Sequence, residues 1–180
     1  DTMLPIAERM AQLLDAVLLD SERNALGRQR ILNIKEDLIG PARLRTPVPV
    51  SLKVMIETML ANMGLPHGVV EADLSDDLPS ALCDERQVEQ VFNNLVKNAW
   101  EALYQTEAPK IFVKARRDED PKFVLVTIRD NGPGIPKDIQ EKIWVSFFTT
   151  KGGRGGTGLG LSACMQIVTQ NGGRIWLESE

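Results

Sequence analysis

Histidine, cysteine and aromatic residues are all scarce in this chain, and each scarcity excludes something. A single histidine, His67, and two cysteines, Cys83 and Cys164, stand among 180 residues. The cysteines lie far apart and show neither zinc-site spacing nor a disulfide framework, so they read as reduced core thiols. His67 sits in Gly64-Leu65-Pro66-His67-Gly68, a turn-like context that reads as a loop. No apolar run approaches the roughly 20 residues that span a bilayer. No charged start followed by an apolar stretch marks a secretory signal. The charge balance is −4 with both signs interspersed, which argues against a nucleic-acid partner, since that would favour a basic surface. It leaves room for a phosphate ligand, which a few lysines and backbone amides can hold locally. Hydrophobic residues make up 43% of the chain, as expected of a soluble globular fold with no membrane contact.

Apolar spacing predicts the elements. Met10, Leu13, Leu14, Val17 and Leu18, then Ile31, Ile34 and Leu38, recur at helical intervals until Gly40-Pro41 stops the helix. A proline-containing linker follows, becoming extended near Val50. Residues 51–63 read as a helix capped by Ser51. A strand is expected over 69–74. A strong helix runs from Asp84 to about Leu103, with Asp84 and Gln87 at capping-box spacing. Strands are expected over 111–115 and 123–128, a short helix over 137–143, a helix over 158–170 closed by Asn171-Gly172-Gly173, and a last strand over 174–178. Helices and strands mix without a regular βαβ rhythm, which predicts an α+β fold, a two-layer α/β sandwich with helices on one face. Residues 1–45 form a helical segment and 46–180 the globular domain.

Four segments can carry chemistry. Asn94 and Asn98 lie one turn apart on the Asp84 helix, where asparagine is a poor helix former. A carboxamide oxygen can ligate a hard cation without adding charge beside a triphosphate; alone, the pair also reads as ordinary boundary polarity. Asp130-Asn131-Gly132-Pro133-Gly134-Ile135-Pro136 follows a strand. Its glycines let a ligand approach the backbone, and its carboxylate can accept from an exocyclic amine; alone it reads first as a plain Asn-Gly turn between strand and helix. Phe147-Phe148-Thr149-Thr150-Lys151 can anchor a loop or plug a core. Gly152, Gly153, Gly155, Gly156, Gly158 and Gly160 then feed a helix N-terminus, a phosphate site by geometry. A P-loop is absent, and the G-x-G-x-x-G string from Gly153 to Gly158 lacks the preceding strand of a dinucleotide fold.

Taken in order, these segments resemble the four boxes of the GHKL ATPase superfamily, specifically of sensor histidine kinases. Asn94-Leu95-Val96-Lys97-Asn98-Ala99 resembles the N box, Asp130-Asn131-Gly132-Pro133-Gly134-Ile135 the G1 box, Phe147-Phe148-Thr149-Thr150-Lys151 the F box, and Gly156-Thr157-Gly158-Leu159-Gly160-Leu161-Ser162 the G2 box. The Phe-Phe-Thr-Thr-Lys wording and Trp100-Glu101-Ala102 look like the nitrogen-regulator branch.

The resemblance implies a Bergerat-type ATP-binding fold, with ATP and Mg2+ as cofactors. It implies that Asn98 ligates magnesium and Asn94 contacts the phosphates or the metal. Asp130 binds the adenine amino group, and Gly132 and Gly134 shape that pocket. Residues 149–157 form the ATP lid, and Gly158, Leu159 and Gly160 present amides to the phosphates. Lys97, Ile135, Phe148, Thr149, Thr150, Lys151, Thr157 and Leu161 complete the implied nucleotide contacts. Where gyrase-type members carry a water-activating glutamate, this chain has Asn94, which cannot act as a base; that favours phosphoryl transfer.

The implied acceptor is a histidine on a helical hairpin of the same protein, with relay to a response-regulator aspartate. His67, followed by Gly68, does not match that acceptor pattern. The N-terminal helix resembles the hairpin's second helix, which would place the acceptor upstream of residue 1. The chain also stops before the last strand such domains have. A homodimeric, cytoplasmic parent is expected, its membrane attachment open. Other superfamily ATPases or kinases and a non-catalytic nucleotide-binding module are the alternatives.

Overall fold

A computed structural model describes residues 10, 14, 25–42, 46–151 and 156–179. Met10 and Leu14 are helical; the rest of the first helical stripe lies outside the described residues. The described elements are α1 (Ala25–Ile39), β1 (Val48–Val50), α2 (Leu52–Asn62), β2 (Val70–Leu74), β3 (Ala81–Cys83), α3 (Glu85–Ala102), β4 (Ile111–Arg117), β5 (Val124–Asp130), a 3₁₀ turn (Lys142–Trp144) and α4 (Gly160–Gln170).

β2 pairs parallel with β4, and β4 antiparallel with β5, giving a mixed three-stranded sheet. β1 and β3 form a separate antiparallel pair. Along β4 the side chains alternate: Ile111, Val113 and Ala115 are buried, while Phe112, Lys114 and Arg116 are exposed. One face of the sheet is therefore core and the other faces water. The buried face packs against Met55, Ile56 and Met59 of α2 and Phe92, Val96 and Ala99 of α3. Ile56, Val96 and Ile111 are completely buried, each contributing about 1.5–3 kcal/mol by leaving water. On the open face Lys110 pairs with Glu71 at 2.6 Å and Lys114 with Asp73 at 2.7 Å. The helices lie on one side of the sheet, as expected.

α3 carries a second buried edge. Val91 meets Cys164 and Ile167 of α4 in a smaller core, with Leu95, Val168 and Ile175 around it. This core places the N-terminus of α4 beside the middle of α3. The far end of α4 closes with Gly172 at φ +77. Gly173 N–H donates to Val168 C=O at 2.9 Å and Gly172 N–H to Thr169 C=O at 3.0 Å, the bond pair of a Schellman cap.

Four expectations are corrected. Residues 137–143 are not a helix. Ile139 N–H bonds Pro136 C=O, Lys142 N–H and Ile143 N–H both bond Ile139 C=O, and Val145 N–H bonds Lys142 C=O, so turns and a short 3₁₀ stretch over Lys142–Trp144 take the place of an α-helical ladder. Residues 174–178 form no ladder; Ile175 packs on the α3–α4 core while Trp176 is 57% exposed. Ser51 precedes α2, but its hydroxyl makes no cap bond. The capping box at α3 is half realised. Asp84 Oδ1 accepts from Gln87 N–H at 3.1 Å, but the Gln87 side chain turns away to donate to Gly40 C=O at 2.9 Å. Asp84 N–H is taken by Asn171 Oδ1 at 3.1 Å instead.

Candidate functional site

The amphipathic frame of α3 buries Val96 and Ala99 and leaves Asn94 and Asn98 half-buried at its edge, facing α4 and the segment before it. Two polar clusters result. In the first, Asn94 Nδ2 donates to Gly160 C=O at 3.4 Å and to Asp37 Oδ1 of α1 at 3.1 Å. Thr157 Oγ1 donates to Asp37 Oδ2 at 3.3 Å and accepts from Leu159 N–H at 3.2 Å. Asn94, Thr157 and Gly160 thus converge at the start of α4. The first-turn amides there have no acceptor inside the helix, and the positive end of its dipole faces outward. Burial raises the Asp37 carboxyl above its ordinary value. The bonds from Asn94 and Thr157 and the nearby Lys97 charge oppose that rise. Lys97 is itself exposed.

In the second cluster, Lys151 Nζ donates to Asn98 Oδ1 at 3.0 Å and also bonds the Glu101 carboxylate. Glu101 lies three residues beyond Asn98, on the same helix face. An amide oxygen and a carboxylate closing around an ammonium form an oxygen donor set for a cation. Its chemistry suits a hard divalent ion.

Asp130, at the end of β5, is half-buried, and its Oδ1 accepts from Gly132 N–H at 2.9 Å. A Cβ on Gly132 would stand 2.7 Å from that oxygen, so a side chain here would push the Asp130 carboxylate aside, while Ala102 C=O at 3.5 Å would be an ordinary contact. A shallow groove opens between this loop and the end of α3, lined by Glu101, Ala102, Thr106, Asn131, Gly132 and Pro133 among others. Gly134 has φ +73. Ile135 N–H is held by Ser179 Oγ at 2.8 Å, so its backbone donor is already engaged.

The segment carrying both phenylalanines is neither a core plug nor a free loop. Phe147 is 70% exposed with φ +69, and Phe148 is half-buried. Phe147 N–H donates to Gly158 C=O at 2.7 Å. Gly158 has φ +68, and a Cβ there would meet Phe147 C at 2.4 Å. Thr149 and Thr150 are exposed, and Thr149 Oγ1 accepts from Lys151 N–H at 3.1 Å. Leu159 is buried and Leu161 half-buried on α4. Residues 152–155, which hold three of the six glycines in the cluster, lie outside the described residues.

The structure therefore gathers Asn94, Thr157, Gly158, Leu159 and Gly160 at one pole, and Asn98 with Lys151 beside them. Asp130 and Gly132 lie at the far end of α3, with Gly134 and Ile135 in the loop beyond. Asp37 and Glu101 were missed as site residues. The signal for Asp37 was available: an acidic residue in the last turn of α1 opposes the helix dipole, so it needs a partner elsewhere.

The family model of histidine kinase-, DNA gyrase B-, and HSP90-like ATPases matches residues 83–180. The alginate biosynthesis sensor protein KinB of Pseudomonas aeruginosa is 32% identical over 179 residues, covering 98% of this chain and 29% of KinB. The chain thus spans under a third of that relative's length. Among solved structures, the catalytic domain of histidine kinase ThkA is 32% identical at a TM-score of 0.57, covering 74% of this chain and 86% of that one. Histidine kinase ThkA in complex with the response regulator TrrA is alike in fold. Its TM-score is 0.63 at 22% identity, covering 97% of this chain and 55% of that one.

Proposed function

The chain belongs to the family of histidine kinase-, DNA gyrase B-, and HSP90-like ATPases, and from that premise we propose that it is the Mg-ATP-binding catalytic domain of a sensor histidine kinase. The observation that carries the reading is the pairing of Asn94 and Asn98 along one edge of α3. Asn94 stands against the N-terminus of α4, and Asn98 shares a cation with Glu101.

Each group then has a task. The first-turn amides of α4, with Thr157, hold the terminal phosphates. Asn98 Oδ1 and Glu101 would hold Mg2+ where Lys151 now donates, which would leave the Lys151 ammonium to pair with the phosphates. A bound divalent ion there would supply positive charge against the phosphates. Asp130 keeps one carboxylate oxygen for the adenine amino group while Gly132 N–H fixes the other. Asn94 donates through its amide and has no basic atom with which to activate water. The chain's own contribution is accordingly positioning and charge stabilisation, which suits transfer to a protein acceptor. That acceptor is a histidine on a helical hairpin to which residues 1–45 contribute, with 46–180 as the catalytic domain.

The relay partner is a response regulator receiver domain, a reading supported by the ThkA complex with TrrA. The parent is expected to act as a homodimer in the cytoplasm, where ATP is available. No helix among the described residues is long and apolar enough to cross a membrane.

Calorimetric titration of the chain with Mg-ATP tests the site. Loss of a group that merely hydrogen-bonds a metal ligand typically costs about 10–100-fold in affinity. Asn98→Ala should therefore lose at least about tenfold in Mg-ATP affinity with an unchanged circular dichroism spectrum. Unchanged affinity would remove its metal role. Incubation with a hairpin carrying the acceptor histidine and labelled ATP should label that hairpin. Steady hydrolysis of ATP without label transfer would favour a motor-type ATPase instead.

A further inference from the structure

The end of α1 is fastened to α3 by three side-chain amides in a row. Gln87 Nε2 donates to Gly40 C=O at 2.9 Å, Gln90 Nε2 to Glu36 C=O at 2.8 Å, and Asn94 Nδ2 to Asp37 Oδ1 at 3.1 Å. Positions 87, 90 and 94 are spaced by three and four residues, so they form one stripe along α3. The stripe reads the last turn of α1, whose carbonyls have no intrahelical donor. Gly40 is buried against it: a Cβ there would fall 1.8 Å from Gln90 Oε1. The first two amides take backbone carbonyls, and that of Gln90 also faces the Asp37 carboxyl. The third takes a carboxylate, and that carboxylate also accepts from Thr157 at 3.3 Å. Asp37 thus holds an anionic oxygen pair against a side-chain amide, a hydroxyl and the positive end of α4, the groups assigned above to the terminal phosphates.

We propose that the C-terminal end of α1 is an intramolecular clasp on the nucleotide site: Asp37 occupies the phosphate pole, so docking of α1 and binding of the terminal phosphates of ATP exclude each other. The inference rests on the nucleotide reading and adds a control to it. Asn94 and Thr157 cannot donate to Asp37 and to a phosphate through the same hydrogens, and a carboxylate beside a triphosphate is repelled. ATP must therefore lift the end of α1 away, and by linkage whatever holds α1 down weakens ATP binding by the same factor. Because α1 leads toward the segment that precedes the domain, a pull or twist on that helix reaches the phosphates through Asp37 without any change in the adenine pocket.

Three measurements on the whole chain test the clasp. Asp37→Ala removes the acceptor and the charge together. Gln90→Ala loosens the clasp, removing its bond to Glu36 C=O and its contact with the Asp37 carboxyl, while leaving every charge and Asn94, Thr157 and the α4 amides in place. Hydrogen exchange reports whether the last turn of α1 is docked. Mg-ATP affinity, read by calorimetry, should rise about five- to tenfold in Asp37→Ala, the size expected from losing one ordinary hydrogen bond. It should rise by a smaller factor in Gln90→Ala. Saturating Mg-ATP should reduce exchange protection over residues 36–40 in the wild-type chain. Equal or weaker Mg-ATP binding by Asp37→Ala overturns the clasp. So does a gain in Asp37→Ala with no change in Gln90→Ala and no loss of α1 protection, which would leave Asp37 as a repulsive charge only. If neither the wild type nor either variant binds Mg-ATP, the nucleotide reading falls and the clasp falls with it.

Discussion

Gly158 is held by two constraints that act together. Its φ of +68 lies where a side chain costs roughly 1–2 kcal/mol, and the space for a Cβ is already filled by the backbone of Phe147. Backbone cannot swing aside as a side-chain tip can, so the turn itself must move. Gly158→Ala is expected to destabilise the chain by about 2–4 kcal/mol and to detach the Phe147 segment from the start of α4. Urea denaturation with nucleotide titration checks this; a stability loss under about 0.5 kcal/mol would show that the turn accommodates a methyl group. The need for glycine here was legible, because a glycine run entering a helix demands unusual backbone angles. Phe147 as its tight neighbour was not, since the two are eleven positions apart and meet only through the fold. Asp130 and Gly132 were legible for a related reason: a carboxylate two residues before a glycine binds its own loop, so sequence distance and spatial distance coincide.

At the scale of elements, α3 depends on its first turn. Asp84 accepts from Gln87 N–H with one oxygen and from Thr46 N–H at 2.8 Å with the other. It therefore closes the helix and fastens the strand-leading segment at once. Asp84→Ala should cost about 1–2 kcal/mol, seen as a lower urea midpoint with an unchanged slope. An unchanged midpoint would mean that water replaces both bonds at no cost. The cap was readable from Asp84 and its three-residue interval to Gln87, whereas the reciprocal half of the box was not. Gln87 is 2% exposed, and its amide is divided between Gly40 C=O and Asn171 Nδ2, partners 47 and 84 residues away in sequence. The long amphipathic helices and β4 were visible because burial on one face imposes a period. β1 and β3 were not named as strands, since three residues hold too little of a period and their pairing is long-range. Residues 174–178 carry a strand-like pattern, but no strand among the described residues lies beside them to supply the ladder.

For the whole molecule, the coupling of α1 to the site has a pH dependence whose sign follows from Asp37. Burial raises its carboxyl above the ordinary value of 3.8, so the docked state holds a proton more tightly than the undocked or unfolded chain. The stability linked to that proton is fully present below 3.8 and is lost as the pH rises through the raised folded value. Docking of α1 is therefore tighter in mild acid than at neutral pH. Asn94, Gln90 and Thr157, which face the carboxyl, do not titrate. Cys164, also near Asp37, is pushed up to about 12 by burial and stays protonated throughout. Asp37→Asn keeps the shape of the side chain and removes the ionisation. Its thermal stability should equal or slightly exceed that of the wild type at about pH 7, and the difference should vanish toward about pH 3.5. Scanning calorimetry of both chains across that range checks it. A wild-type advantage that grows toward neutral pH would reverse the sign, and would mean that the Asn94, Thr157 and Lys97 interactions outweigh burial and hold the carboxylate in its charged form.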